Sequence, residues 1–148
     1  MPVTDIARSK VVSVTPDASI ASVAETMRTE SVGCVVVVDA GEPIGLVSDR
    51  DLAMLVLGGE TDPESTAVEA ILDEEVVTVT AETGVYELLE VMSERGVRRL
   101  PVVSDGDLVG IVSLSDVVVL LGMELQQVAN VIRTVSPAYE RLATELSD

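Results

Sequence analysis

Two stretches of this chain, "GLVSDRD" at 45–51 and "GIVSLSD" at 110–116, end an apolar, strand-like run in a serine and then an aspartate. Ser48 to Ser113 and Asp51 to Asp116 are both separations of 65 residues. Sliding the sequence by that offset lays residues 3–57 over 68–122 without a gap, "VVSVTPDASIASVAETM" over "VVTVTAETGVYELLEVM". Such a repeat constrains the architecture more than any single motif, because whatever one copy folds into the other must fold into as well. The organisation read from it is a first repeat at 1–57, a linker at 58–67 ("GGETDPESTA", rich in Gly, Pro and acid), a second repeat at 68–122 and a helical extension at 123–148.

Within each copy the hydrophobic period changes in the same order. Residues 11–14 read as a short strand, after which Ile20, Val23, Ala24 and Met27 recur at helical spacing, answered by Val85, Leu88, Leu89 and Met92. An apolar strand follows at 35–38 or 100–103, then a turn with Gly41 or Gly106 and a second strand at 44–47 or 109–112. The serine then opens a second helix. The fold class is α/β (α+β): two pseudo-symmetric repeats, each strand-helix-strand-strand-helix, plus a C-terminal helical tail. A unit of about 55 residues has little core of its own, so the two are expected to pack sheet against sheet. In the tail, Leu125, Val128, Ala129 and Ile132 form one stripe, and Ser136-Pro137 is expected to stop that helix and cap another carrying Leu142 and Leu146.

Charge removes whole classes of partner. Against 26 acidic residues stand 9 basic ones, a formal charge of −17, and Lys10 is the only lysine. Nucleic acid is excluded as a partner, since binding it needs cations that displace counterions from phosphates. An acidic, lysine-poor surface suits a high-salt cytoplasm: at about 1 M salt the screening length is roughly 3 Å and self-repulsion is largely removed. With no Phe or Trp and only Tyr86 and Tyr139 as aromatics, the core must be aliphatic. No stretch reads as the run of about 18 apolar residues that a bilayer span needs, and the N-terminus lacks a signal-peptide core. A soluble, cytoplasmic protein without membrane association is expected. The sole cysteine, Cys34, sits in a buried-strand pattern and reads as an inert core thiol. With no histidine, no nucleophile–base pair and no phosphate-loop glycine signature, catalysis and a metal site are not expected.

Ser-x-x-Asp has two readings. In the first it is a capping box, with Ser48 or Ser113 capping a helix and the acid reaching back to the cap amide. In the second, the free amides and hydroxyl of a helix start hold an anion while the carboxylate accepts two hydrogen bonds from a vicinal diol; phosphate and diol together describe a ribonucleotide. Gly45 or Gly110 before it either leaves room for a ligand or allows the turn.

The element order, the pairing of two copies and the "GLVSDRD" and "GIVSLSD" endings resemble tandem CBS domains, a two-repeat regulatory module that binds adenosine-containing ligands. The resemblance spans nearly all of 3–122. It implies that Asp51 and Asp116 hold ribose hydroxyls, with Ser48 and Ser113 assisting. It also implies that adenine lies against the first strand of the other repeat, pairing Asp51 with Val76 and Val77, and Asp116 with the 9–12 segment, Ser9 and Val12 included. "VRRLPVV" at 97–103 is similar to a segment whose basic residues contact phosphate in nucleotide-sensing members, which makes Arg98 and Arg99 phosphate candidates and Arg50 a lesser one. The first repeat has Gly33 and Cys34 at the matching positions, so the two clefts are expected to be unequal. The implied ligand is AMP, ADP or ATP, with S-adenosylmethionine or NAD as further options and no required cofactor. The implied partners are a second copy of the chain and a regulated protein. The alternative is a ligand-independent dimerisation scaffold in which the motif only caps helices.

Overall fold

The computed structural model describes residues 1–59 and 61–136, which fall into two units, Met1–Ser113 and a second from Leu114 onward. The helix expected after Ser136-Pro137, with Leu142 and Leu146, lies outside the described residues.

The first unit holds the repeat. Strand β1 (Ser13–Val14), helix α1 (Ile20–Glu30), strands β2 (Cys34–Asp39) and β3 (Glu42–Ser48) and helix α2 (Asp49–Leu57) follow one another. Then β4 (Val79–Thr80), α3 (Val85–Arg95), β5 (Arg99–Ser104) and β6 (Asp107–Ser113) retrace the path. Each copy builds a three-stranded sheet, β1-β2-β3 or β4-β5-β6, with the first pair parallel and the second antiparallel. Even the irregularity repeats: the register shifts between Val37 and Val38 and again between Val102 and Val103. The opening strands are shorter than expected. Only Ser13 and Val14 of 11–14 form ladder pairs, although the Val12 carbonyl accepts from Val36 N–H at 3.1 Å.

The helices bury the residues their spacing marks. Ile20, Val23 and Met27 of α1 face Val35, Val37 and Val47, and Leu88 and Met92 are buried on α3. Ala24 is exposed, and Val85 and Leu89 are only half-buried, so each inward stripe is narrower than the apolar spacing. The short side chains permit this packing: among the described residues the largest fully buried side chains are all Val, Ile or Leu, so the helices and sheets close without aromatic bulk.

The repeats are not merely stacked; each lends its leading segment to the other. Val3 N–H donates to the Thr83 carbonyl at 2.7 Å, just ahead of α3, and Val68 N–H donates to the Ala18 carbonyl at 2.8 Å, just ahead of α1. Both valines are fully buried, and Val68 belongs to the first repeat's core. The linker reinforces this exchange. The Thr66 and Pro63 carbonyls accept from Ile20 N–H (3.0 Å) and Ala21 N–H (2.9 Å), satisfying amides that a helix start leaves without intrahelical partners. The hairpin tips also meet, Leu108 N–H donating to the Gly41 carbonyl at 3.0 Å, where β3 and β6 bring the sheets together.

Both hairpins turn on two residues with positive φ, Ala40-Gly41 (49° and 88°) and Asp105-Gly106 (51° and 88°). This twist matches the strands but crowds a Cβ, which Asn and Asp tolerate better than Ala. Ala40→Asn is therefore expected to raise stability by about 0.5–1 kcal/mol in urea titrations. A lower denaturation midpoint would contradict the assignment of strain to Ala40.

The described part of the second unit is dominated by helix α4, Leu114–Val135. It runs straight through Gly122, where the second repeat was expected to end, because one glycine costs an exposed helix only about 1 kcal/mol. α4 also departs from the expectation about membranes. By length and composition it suffices to cross one, with an 18-residue stretch of mean hydropathy 1.2. Yet Glu124, Gln126, Gln127 and Asn130 lie in its middle and later turns, and Gln126 Nε2 donates to Asn130 Oδ1 at 3.1 Å. A carboxylate near the centre of a span is costly. Of the apolar residues on α2 and the early turns of α4, Leu52 and Val117 are buried, whereas Met54, Val118, Val119 and Leu121 are exposed.

Candidate functional site

The site begins with a close approach. A Cβ on Gly45 of β3 would fall 2.5 Å from Leu72 Cδ2, and one on Gly110 of β6 would fall 3.2 Å from the Arg8 carbonyl and 3.5 Å from Ala7 Cβ. Leu72 and Ala7 are the same position in the two copies. In each case the segment leading into one repeat's first strand crosses the second hairpin strand of the other, and glycine is what lets the two chains lie so near.

On the β3 side this crossing leaves a cleft of about 130 Å³. Its walls include Gly45 and Leu46 from one repeat, and Asp73, Glu75, Val76, Val77 and Arg99 from the other. Val76, Val77 and Arg99, all named from the sequence, are thus brought together. Arg98 is not in that lining; it is exposed, one residue ahead of β5. A neighbouring hollow of about 230 Å³ is lined by Asp51, Leu46, Leu72 and Asp73 among others. Asp51 therefore does not share a cavity with Val76 and Val77 as expected. It adjoins theirs across Leu46 and Asp73.

Ser48 and Asp51 form the capping box. Asp51 N–H donates to Ser48 Oγ at 3.1 Å, and Ser48 N–H donates to Asp51 Oδ2 at 2.9 Å. This does not exhaust the carboxylate. An ionised Asp has two oxygens with about four acceptor directions, and Asp51 is exposed. Ser113 ends β6 in register with Arg99, as Ser48 ends β3 in register with Cys34. Asp116 lies in the first turn of α4, in the second unit. Ser9 is exposed and Val12 half-buried on the segment that Arg8 anchors to β6: Arg8 N–H donates to the Ile111 carbonyl (2.9 Å), and Ile111 N–H donates to the Arg8 carbonyl (3.0 Å). Arg50 is exposed in the first turn of α2.

Cys34 is half-buried, less enclosed than its pattern suggested. Burial pushes its thiol up; the Arg99 guanidinium pulls the other way, Asp49 adds to the rise and Arg8 opposes it. The thiol stays protonated at neutral pH, and two cations from different segments lie within electrostatic reach of it. Asp73 and Glu75 line the same cleft as Arg99, and Glu75 Oε2 pairs with Arg95 Nη2 at 3.5 Å. Sequence reasoning missed Leu72, Asp73 and Glu75. Sliding Ala7, Arg8 and Lys10 by 65 would have pointed to all three.

Comparison with known proteins fits this geometry. The CBS domain family model matches residues 3–58 and again 68–122. The chain belongs to the CBS domain family. Its two domains form a tandem CBS pair of mixed α+β architecture. An uncharacterized protein of Methanopyrus kandleri is 35% identical over 115 residues, a match covering 76% of this chain and 59% of that longer protein. The CBS domain-containing protein YhcV of Bacillus subtilis is 32% identical over 117 residues, covering 79% and 83%. Among solved structures, a CBS domain protein from Pyrobaculum aerophilum complexed with AMP superimposes with a TM-score of 0.70 at 26% identity, covering 78% of this chain and 89% of that one.

Proposed function

We propose that this CBS pair is a regulatory module that binds an adenosine-containing ligand, of the AMP, ADP or ATP class, in clefts between its repeats and passes occupancy to a partner protein. The observation that carries this reading is the Gly45–Leu72 crossing. It leaves an apolar slot, Val76 and Val77, beside one guanidinium, Arg99, and next to a carboxylate, Asp51, that still has acceptor capacity. A flat base, an anionic group and a diol need those three surfaces. The AMP complex of the P. aerophilum protein supports the choice of nucleoside. In this reading the chain binds and relays, and performs no catalysis of its own.

The capping box favours a second reading, a ligand-free scaffold. A thermal-shift screen of the purified chain against AMP, ADP, ATP, S-adenosylmethionine and NAD separates the two. A ligand that binds only the folded state raises the midpoint with the logarithm of its concentration, and no shift with any of them at millimolar concentration leaves the scaffold.

Self-association belongs to the same proposal. Met54 and Leu57 of α2 are 66% and 85% exposed, more apolar surface than a helix of a lone monomer has reason to present. Light scattering is expected to give a dimer mass; a monomer at working concentration would remove this part of the reading.

The charge suggests where such a protein works. With 26 acids and 9 bases the folded chain repels itself when unscreened, and the exposed Arg28–Glu25 pair at 3.6 Å is worth little in compensation. Molar KCl is expected to raise the circular-dichroism melting midpoint well above its value in dilute buffer, as for a protein of a high-salt cytoplasm. An unchanged midpoint would point to an ordinary acidic protein.

A further inference from the structure

The apolar residues that α4 leaves exposed are not scattered. Leu114, Val118, Leu121, Leu125, Val128, Ile132 and Val135 follow one another in alternating steps of four and three, a period of 3.5 kept without a break. Val118, Leu125 and Ile132 take the a positions of a heptad, and Leu114, Leu121, Val128 and Val135 the d positions. Every one is exposed, by 40% to 73%. No charge interrupts this seam, in a chain with 26 acidic residues. The later turns carry their polar side chains on the other side. Gln126, Gln127, Asn130 and Arg133 occupy b, c and f, where Gln126 Nε2 donates to Asn130 Oδ1 at 3.1 Å, Asn130 Nδ2 donates to Gln127 Oε1 at 3.5 Å, and Arg133 Nη2 also donates to Asn130 Oδ1.

We propose that this seam pairs with the same seam of a second copy, the two α4 helices lying parallel and in register as a short coiled coil. This rests on the self-association reading above and names α4 as its main surface. A straight helix repeats every 3.6 residues, so an apolar line kept at 3.5 stays against a neighbour only if that neighbour is another helix and the two wind about each other. A bilayer requires a different helix. α4 is long and apolar enough to cross one, but lipid would surround it on all sides and would meet Glu124 and the Gln126–Asn130 face as well as the seam. The charge favours an identical partner at this line: two copies of net charge −17 repel across most of their surfaces, and along the seam neither brings a charge. Parallel register sets each a residue against a and each d against d, so every layer is used. Glu124, at g, then faces the small Ala129 at e of the other copy instead of a second carboxylate. Over roughly 33 Å of helix the pairing removes on the order of 1,000 Å² from water, enough for a specific interface.

Variants of the full chain test the pairing, in salt at which the wild type is folded. Leu125→Glu puts a carboxylate from each copy into the middle layer and is expected to weaken self-association about 100-fold or more in a sedimentation dilution series. Gln127→Glu, the same charge on the outer face, is expected to stay within about threefold. Both residues are exposed in the protomer, so neither change empties a core. In a Cys34→Ser background, Val128→Cys is expected to give a disulfide-linked dimer under mild oxidation, because equivalent d residues of a parallel pair lie within disulfide reach; Gln127→Cys is expected to give none. Dissociation by Leu125→Glu without that cross-link overturns the parallel register. If the wild type self-associates, ignores Leu125→Glu and is dissociated by Met54→Glu, α2 holds the copies together: the seam inference is overturned and the self-association reading stands. If the wild type floats with phosphatidylcholine vesicles and Leu125→Glu does not, the seam meets lipid and the inference is likewise overturned. A wild type that is monomeric at working concentration removes the self-association reading and this inference with it.

Discussion

Asp51→Ala is expected to weaken binding of an adenosine ligand by about 10- to 100-fold, because a carboxylate accepting from ribose hydroxyls makes charge-assisted hydrogen bonds typically worth about 1.5–3 kcal/mol. The same change also removes half of a capping box, so a second loss, about 1 kcal/mol of stability, is expected alongside it. Two further variants separate these effects. Ser48→Ala removes the hydroxyl that accepts from Asp51 N–H and leaves the carboxylate, so it should lower the melting midpoint while retaining most of the affinity. Asp51→Asn keeps an amide oxygen for the Ser48 N–H and gives up the charge, so it should do the reverse. If all three variants bind as the wild type does and differ only in midpoint, the motif is a cap and nothing more.

Leu88→Ala is expected to cost about 2–5 kcal/mol, the range for emptying a fully buried leucine site, and Leu88 has no exposed surface at all. Against a typical total of about 5–15 kcal/mol this is a large fraction. The more telling expectation concerns where the loss is felt. Because Val3 is held at Thr83 beside α3, and Val68 is held at Ala18 beside α1, damage under α3 should loosen both repeats. Amide exchange at Val35 and Val37 in β2 should accelerate together with that at Leu100 and Val102 in β5. Acceleration confined to the second repeat would show that the leaders are dispensable attachments.

The fold was legible because it was written twice. Periodicity assigned the strands and helices of each copy, and the 65-residue offset tied them to one another. Failures came where local pattern and tertiary context part company. Gly122 looked like a boundary, but one glycine within an apolar helical run is tolerated, and α4 continues to Val135. The 58–67 linker looked like a tether by composition, yet its carbonyls complete the start of α1, a role no composition reveals. Arg98 and Arg99 were taken together, although adjacent residues of an extended chain face opposite ways and only Arg99 reaches the cleft. Asp73 and Glu75 went unnoticed because acids are abundant here.

The exchange of leading segments also governs the order in which this protein can come into being. Val3 leaves the ribosome well ahead of its hydrogen-bond acceptor, the Thr83 carbonyl, which does not exist until on the order of 80 further residues have been joined, roughly 4–16 s at ordinary translation speeds. The first repeat likewise lacks one buried residue of its core, Val68, until the linker has emerged. A nascent chain halted between the repeats would hold an unfilled core and an unclaimed segment around Val3, and each would be open to the corresponding piece of a neighbouring chain on the same message.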